Sequence, residues 1–121
     1  MSEASKKYDL EERTAKFGEN VIKFCKELSK SIITDPLVSQ LVRCSTSVGA
    51  NYCEADDAES GKDFKHKIGI CKKEARESKH FLRMLATACP GQKEKIKVIW
   101  TEAKELNLIF NSIYQKMGKL T

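Results

Sequence analysis

Apolar side chains recur every three or four positions along four separate stretches of the chain, the spacing that gathers them on one face of an α-helix. In the first stretch they are Phe17, Val21, Phe24, Leu28 and Ile32. Asp9 and Glu12, just ahead, have capping-box spacing, in which two side chains satisfy backbone N–H groups at a helix start. The pattern predicts a helix over about 10–31. In the second stretch Asp35 places a capping side chain before Pro36 at the first helical position. Leu37, Leu41, Cys44, Val48, Tyr52 and Ala55 then carry the apolar face of a helix over about 36–57. Ser60 and Asp63 cap a third helix, about 61–89, whose seam is Phe64, Ile68, Cys71, Ala75, Ser78, Leu82, Leu85 and Cys89. Cys89-Pro90-Gly91 stops it. The fourth, about 92–118, repeats the pattern with Ile96, Ile99, Ala103, Leu106, Phe110, Ile113 and Met117, and Gly118 suits its C-terminal cap. No stretch alternates with the period of two that a strand requires.

Helices of this length run about 33 to 42 Å. Joined by short loops, they predict an all-α fold, an antiparallel up-down-up-down four-helix bundle. At 121 residues the chain is expected to form one domain, 1–121, able to bury a core without disulfides or metal. Gly18, Gly49 and Gly69 interrupt helix interiors at roughly 1 kcal/mol each relative to alanine. Close backbone approach explains them, above all at Gly49 beside Ser45, Ser47 and Ala50; tolerated surface glycines are the alternative. Ile22 and Ile33 on the first helix, Ile70, Phe81 and Met84 on the third, and Val98 and Ile109 on the fourth fall away from the seams. A monomer tolerates scattered apolar groups, whereas several flanks together suit self-association.

The five cysteines, Cys25, Cys44, Cys53, Cys71 and Cys89, are odd in number and never closer than nine positions. Neither a disulfide framework nor a zinc pair has that spacing, so they read as small buried apolar side chains, and no metal or cofactor is expected. The opening Met1-Ser2-Glu3-Ala4-Ser5-Lys6-Lys7 lacks the apolar segment of a signal peptide, and no apolar run reaches the length of a membrane span. A cytoplasmic protein that does not enter the membrane is expected.

Charge adds a candidate surface. The net charge is +5, and residues 61–90 hold eight basic side chains against three acidic ones. Lys62, Lys65, Lys72, Arg76, Lys79 and Arg83 follow three-four spacing along one edge of the third helix, with Gly69 the gap and Lys73 adjoining. The acids Asp63, Glu74 and Glu77 fall on another side. Such a stripe is about 32 Å long, enough to follow several phosphates of RNA or DNA. No aromatic residue interleaves with it along the helix, which predicts mostly electrostatic, weakly specific contact rather than base stacking. The same cations can instead serve solubility, or pair with acids on a neighbouring helix or subunit.

On the second helix Arg43, Ser47, Asn51 and Glu54 are spaced four, four and three, a polar line beside the seam. With Glu74, Arg76 or Glu77 they are expected to build a buried network that fixes helix register; a ligand site is the alternative. Enzymatic patterns are incomplete. Glu77-Ser78-Lys79-His80 has the Glu-x-x-His form of di-iron bundles, but these need a second such motif on another helix, and the only other histidine, His66, lies on the same one. Arg76 and His80 stand one residue closer than in helical ribonucleases that use an arginine followed by a histidine. No catalytic residue is assigned, and the chain is read as a non-enzyme.

The run Gln40-Leu41-Val42-Arg43-Cys44-Ser45-Thr46-Ser47-Val48-Gly49-Ala50-Asn51-Tyr52-Cys53-Glu54-Ala55 resembles the second-helix signature of the four-helix-bundle proteins encoded in intervening sequences of bacterial 23S ribosomal RNA genes. Asp63-Phe64-Lys65-His66-Lys67, Lys73-Glu74-Ala75-Arg76-Glu77-Ser78 and the opening Tyr8-Asp9-Leu10-Glu11-Glu12-Arg13-Thr14 resemble further elements of that family. His80-Phe81 replaces the Tyr-Trp that relatives often carry. The resemblance implies an antiparallel bundle assembling as a ring-shaped homopentamer with no established enzymatic activity. It also implies kinship with accessory proteins of diversity-generating retroelements, which bind nucleic acid and a reverse transcriptase. Two readings follow: an oligomeric scaffold that binds nucleic acid through the third helix, or an adaptor whose basic edge meets a protein partner such as a nucleic-acid enzyme. A weak ribonuclease is a distant third.

Overall fold

The computed structural model describes residues 3–118, with side chains from residue 9 onward. Met1, Ser2, the side chains of residues 3–8, including Tyr8 of the family-like opening, and residues 119–121 lie outside the described residues. Four helices follow in order: α1 (Glu3–Lys26), α2 (Thr34–Asp56), α3 (Gly61–Ala88) and α4 (Lys93–Gly118), with a single 3-10 turn at Pro90–Gln92 between the last two. Neighbours run antiparallel. A Cβ on Gly18 of α1 would contact Thr46 of α2, and one on Gly49 would contact Thr14. Arg43 of α2 reaches Glu74 and Glu77 of α3, while Glu54 reaches Lys67. Arg13 of α1 meets Glu102 of α4, and Glu27, just past α1, meets Lys95. The expected up-down-up-down order is therefore the observed one.

The apolar seams close on one core. Phe17, Val21, Phe24, Leu41, Cys44, Val48, Tyr52, Ile68, Cys71, Leu82, Leu85, Ile96, Leu106 and Phe110 are buried, and the Tyr52 and Phe110 rings meet across the bundle diagonal at 5.9 Å between centroids. Burial of a large apolar side chain contributes about 1.5–3 kcal/mol, so this core is the main stabilising term. Gly49 is required by the α1–α2 crossing. A Cβ there would stand 3.3 Å from Thr14 Oγ1 and 3.4 Å from the Thr14 backbone, tighter than ordinary contact.

The first helix departs most from expectation. It already runs from Glu3, so Asp9 and Glu12 lie inside it and cap nothing, and it ends at Lys26 rather than near Ser31. Backbone bonds from Glu27 N to Phe24 O and Leu28 N to Cys25 O, three residues apart, tighten and finish the last turn. Ile32, expected on the core face, is consequently 89% exposed. The connection to α2 is held by side chains. Ser31 Oγ accepts from Thr34 N at 2.9 Å, and Asp35 Oδ1 accepts from Ser31 N at 3.3 Å, so Asp35, already inside α2, reaches back to the turn instead of capping the helix as expected. The cap of α3 is as expected, with Ser60 Oγ accepting from Asp63 N at 3.1 Å. Gly118 is the last described residue of α4, and no described glycine has a positive φ, so a left-handed glycine cap is not observed there.

Cysteine burial also divides. Cys44 and Cys71 are buried, Cys25 and Cys89 half-buried, and Cys53 exposed, so the expectation of five buried thiols holds for the first two and fails for Cys53. Burial pushes the Cys25 thiol up to about 11 and the Cys71 thiol to about 12 from 9.0. Among the described residues no helix is long and apolar enough to cross a membrane.

Candidate nucleic-acid interface

Of the seven cations read from the third helix, Lys65, Lys72, Lys79 and Arg83 lie on the edge of α3 that meets α4. Lys62, Lys73, Arg76 and Arg83 are exposed, and Lys65, Lys72 and Lys79 are half-buried along the α3–α4 seam. None of the seven forms an ion pair among the described residues. The half-buried lysines lie over aromatic rings contributed by α4. Lys65 Nζ stands 5.0 Å and Lys72 Nζ 5.1 Å from the Tyr114 ring centroid, and Lys79 Nζ 5.7 Å from that of Trp100. A cation over a ring face is attracted to its π-electrons, by about 0.5–1 kcal/mol where solvent is near. Lys104 of α4 covers Trp100 as well, also at 5.7 Å.

Gly69, the gap in the cationic stripe, now has a physical cause. A Cβ at that position would come within 3.0 Å of Tyr114 Cε2, so the missing side chain is the space the ring occupies. One further bond crosses the same seam, from Asn107 Nδ2 to the Lys72 carbonyl at 2.8 Å. The expectation that no aromatic group interleaves with the stripe holds for α3 alone. It is corrected once α4 is in place, because the rings come from the neighbouring helix. Lys93, Lys97, Trp100, Lys104, Asn107, Asn111 and Tyr114 fall on successive three- and four-residue steps of α4, one face of a helix. That line was readable in the sequence by the rule that found the α3 stripe, and reading each helix separately missed it.

Acidic side chains are drawn to the other seams. Glu102 takes a bidentate contact from Arg13, with Nε to Oε2 and Nη2 to Oε1 both 2.8 Å, and Glu105 adds 3.7 Å. The hydrogen bond to Glu102 holds the Arg13 guanidinium above its ordinary pKa. At the α2–α3 seam, Arg43 Nη2 donates to Glu77 Oε2 at 2.6 Å, Nη1 to Glu74 Oε2 at 3.0 Å and Nε to Gln40 Oε1 at 3.1 Å. The bond to Glu77 comes first among the causes that raise the Arg43 pKa. Glu74 is 4% exposed, the one buried carboxylate among the described residues.

The polar line expected on α2 resolves into three separate groups. Arg43 binds Gln40, Glu74 and Glu77; Asn51 Nδ2 donates to the Ser47 carbonyl and hydroxyl, both at 2.9 Å; and Glu54 pairs with Lys67 at 3.2 Å. Arg76 joins none of them. Only Glu74 is buried, so a single sealed network is not what the chain builds. Of the apolar flank residues, Ile22, Ile33 and Val98 are exposed at 41%, 63% and 72%, whereas Ile70, Phe81, Met84 and Ile109 are half-buried. Phe81 packs against the core cluster and meets the His80 ring edge-on. Leu108, 58% exposed, belongs with the exposed group and was not anticipated. Among the described residues no cluster of three or more His, Cys, Asp or Glu side chains is placed to hold a metal ion.

Known proteins give a consistent frame. Residues 6–112 match the family described as 23S rRNA-intervening sequence protein. The chain is also similar to a solved protein of unknown function from the S23 ribosomal protein family of Bacteroides thetaiotaomicron VPI-5482. The two share 28% identity with a TM-score of 0.77, over 87% of this chain and 97% of the other. No functionally curated protein matches the sequence.

Proposed function

The chain belongs to the 23S rRNA-intervening sequence protein family, and we propose that it is a non-catalytic scaffold that binds nucleic acid through the α3–α4 face. The observation that carries this reading is the row of cations on α3 with no carboxylate partner among the described residues, from Lys62 to Arg83 through Lys65, Lys72, Arg76 and Lys79. A polyanion that meets this row releases its condensed counterions, which gives affinity without sequence readout. Lys93, Lys97 and Lys104 widen the row onto α4.

The same proposal includes self-association into a ring-shaped homo-oligomer, a pentamer by family resemblance, supported by the exposed apolar side chains Ile22, Ile33, Val98 and Leu108. A strictly monomeric mass by light scattering at tens of micromolar protein would remove that part alone. For the binding reading, purified, nuclease-treated protein is titrated with structured RNA and with duplex DNA at low salt. Binding that weakens steeply as salt rises is expected. Absence of binding to either at low salt, or binding only after a protein partner is added, would refute it.

A further inference from the structure

Trp100 is the chain's single tryptophan, and its half-buried ring forms one wall of an open cleft at the end of the α3–α4 seam. The other lining residues are the apolar Ala86 and Ile96 and the cations Arg83, Lys93 and Lys97. Resting on the nucleic-acid reading of this face, we propose that the cleft seats one unpaired base of a single-stranded nucleic acid against the Trp100 indole. Arg83, Lys93 and Lys97 then receive the flanking phosphates. Tyr114, fourteen residues further along α4 and so about 21 Å away, offers a second stacking surface for the same strand.

The chemistry favours a single strand over a duplex for a specific reason. Bases of a duplex are paired and stacked inside, and a protein whose surface is only cationic meets their phosphates. An unpaired base can be splayed out onto an aromatic side chain, and proteins that hold single strands combine such rings with a basic groove. Here a ring, two apolar side chains and three cations line one cleft. Lys79 and Lys104 stand 5.7 Å from the indole centroid, near the outer limit of about 6 Å for a cation–ring attraction. Neither lysine lines the cleft, so the ring surface that the cleft exposes is open to a base while both ammonium groups stay beside the indole to meet phosphate. Gly69 keeps the corresponding room for Tyr114 at the other end.

Because Trp100 is the only indole, its fluorescence reports on this cleft without a label. Full-length, nuclease-treated protein is titrated at low salt with unstructured RNA and DNA strands of about twelve nucleotides, and separately with the matching duplexes. The expected result is quenching of Trp100 emission by a single strand and not by a duplex, the RNA and DNA arms identifying which source supplies the base. Trp100→Leu is expected to weaken single-strand binding about tenfold and duplex binding by much less, and Trp100→Phe to recover most of the loss. Wild-type quenching needs no variant, so a Leu variant that failed to fold would leave the test intact. If single strands and duplexes bind alike with emission unchanged, the stacking inference is overturned while the electrostatic reading stands. If neither binds, both fall.

Discussion

Replacing Lys72, Arg76 and Lys79 together by glutamine removes the centre of the cationic row and tests the functional reading quantitatively. Six cations, Lys62, Lys65, Lys72, Arg76, Lys79 and Arg83, span about 32 Å of α3. If all six neutralise phosphates of a duplex, log K falls with log salt at a slope of about −5.4, near 0.9 per contact. Raising salt from about 50 to about 200 mM then weakens binding about 2,000-fold. With three contacts left, the slope is about −2.7 and the same change costs about 40-fold. The fold should survive the substitution. Lys72 and Lys79 contribute to it through ring contacts at 5.1 and 5.7 Å, together roughly 1 kcal/mol against a domain stability of about 5–15 kcal/mol. Arg76 is exposed and unpaired among the described residues. Fluorescence anisotropy of a labelled duplex across a salt series, with circular dichroism as the folding control, measures both slopes. Parallel slopes for the two proteins would show that these cations do not touch phosphate, and the proposal would fail at its central observation.

Three further outcomes test the packing. Gly49→Val is expected to lose about 1–3 kcal/mol in urea unfolding through overpacking against Thr14, whereas Gly18→Ala, whose Cβ would meet Thr46 at an ordinary 3.5 Å, should be neutral or gain up to about 1 kcal/mol of helix propensity; equal effects would contradict the close crossing. Arg43→Met leaves the buried Glu74 carboxylate without its partner and should cost about 1–3 kcal/mol at neutral pH, most of it restored by adding Glu74→Gln; a single variant as stable as the parent would show that the contact adds nothing. Folded Cys25 and Cys71 keep their protons to about 11 and about 12 against 9.0 for the free thiol. The unfolded chain therefore sheds those protons first, and stability should be intact below pH 9 and fall steadily as pH rises toward 11 and 12. Cys71→Ala should flatten that alkaline decline, and an unchanged slope would contradict the assigned burial.

The seams of α2, α3 and α4 were legible because each follows an uninterrupted three-four rhythm, and nearly every seam residue named is buried or half-buried. The end of α1 was not. Phe24, Leu28 and Ile32 keep the rhythm, yet the helix stops at Lys26, since the turn that Ser31 and Asp35 hold together competes with helix continuation. Periodicity alone cannot register that competition. The α3 cations were found as a line, and Gly69 was noticed as its gap, but the filler is a ring fourteen positions beyond Trp100 on another helix. A pattern that spans two antiparallel helices becomes visible only when their register is known. Asn107 bonding the Lys72 carbonyl and Lys79 covering Trp100 supply that register.

How the charges are shared among the seams bears on whether the cationic row is merely a solvated face. A helix that needs cations only for solubility gains nothing by directing its acids elsewhere. Here Glu74 and Glu77 of α3 turn to Arg43, and Glu102 and Glu105 of α4 turn to Arg13, while among the described residues the α3–α4 seam is crossed by cation–ring contacts instead of ion pairs. A helix with its side chains is about 10–12 Å across, more than the Debye length of about 8 Å at physiological salt. Carboxylates on the far seams are therefore screened from the α3–α4 face, and already partnered besides. The cations that a passing polyanion meets there are Lys62 through Arg83 with Lys93, Lys97 and Lys104. Ring contacts hold the half-buried lysines in place without neutralising them, as a carboxylate would. A face built that way keeps its charge available while staying ordered, and this is the property that a phosphate backbone exploits.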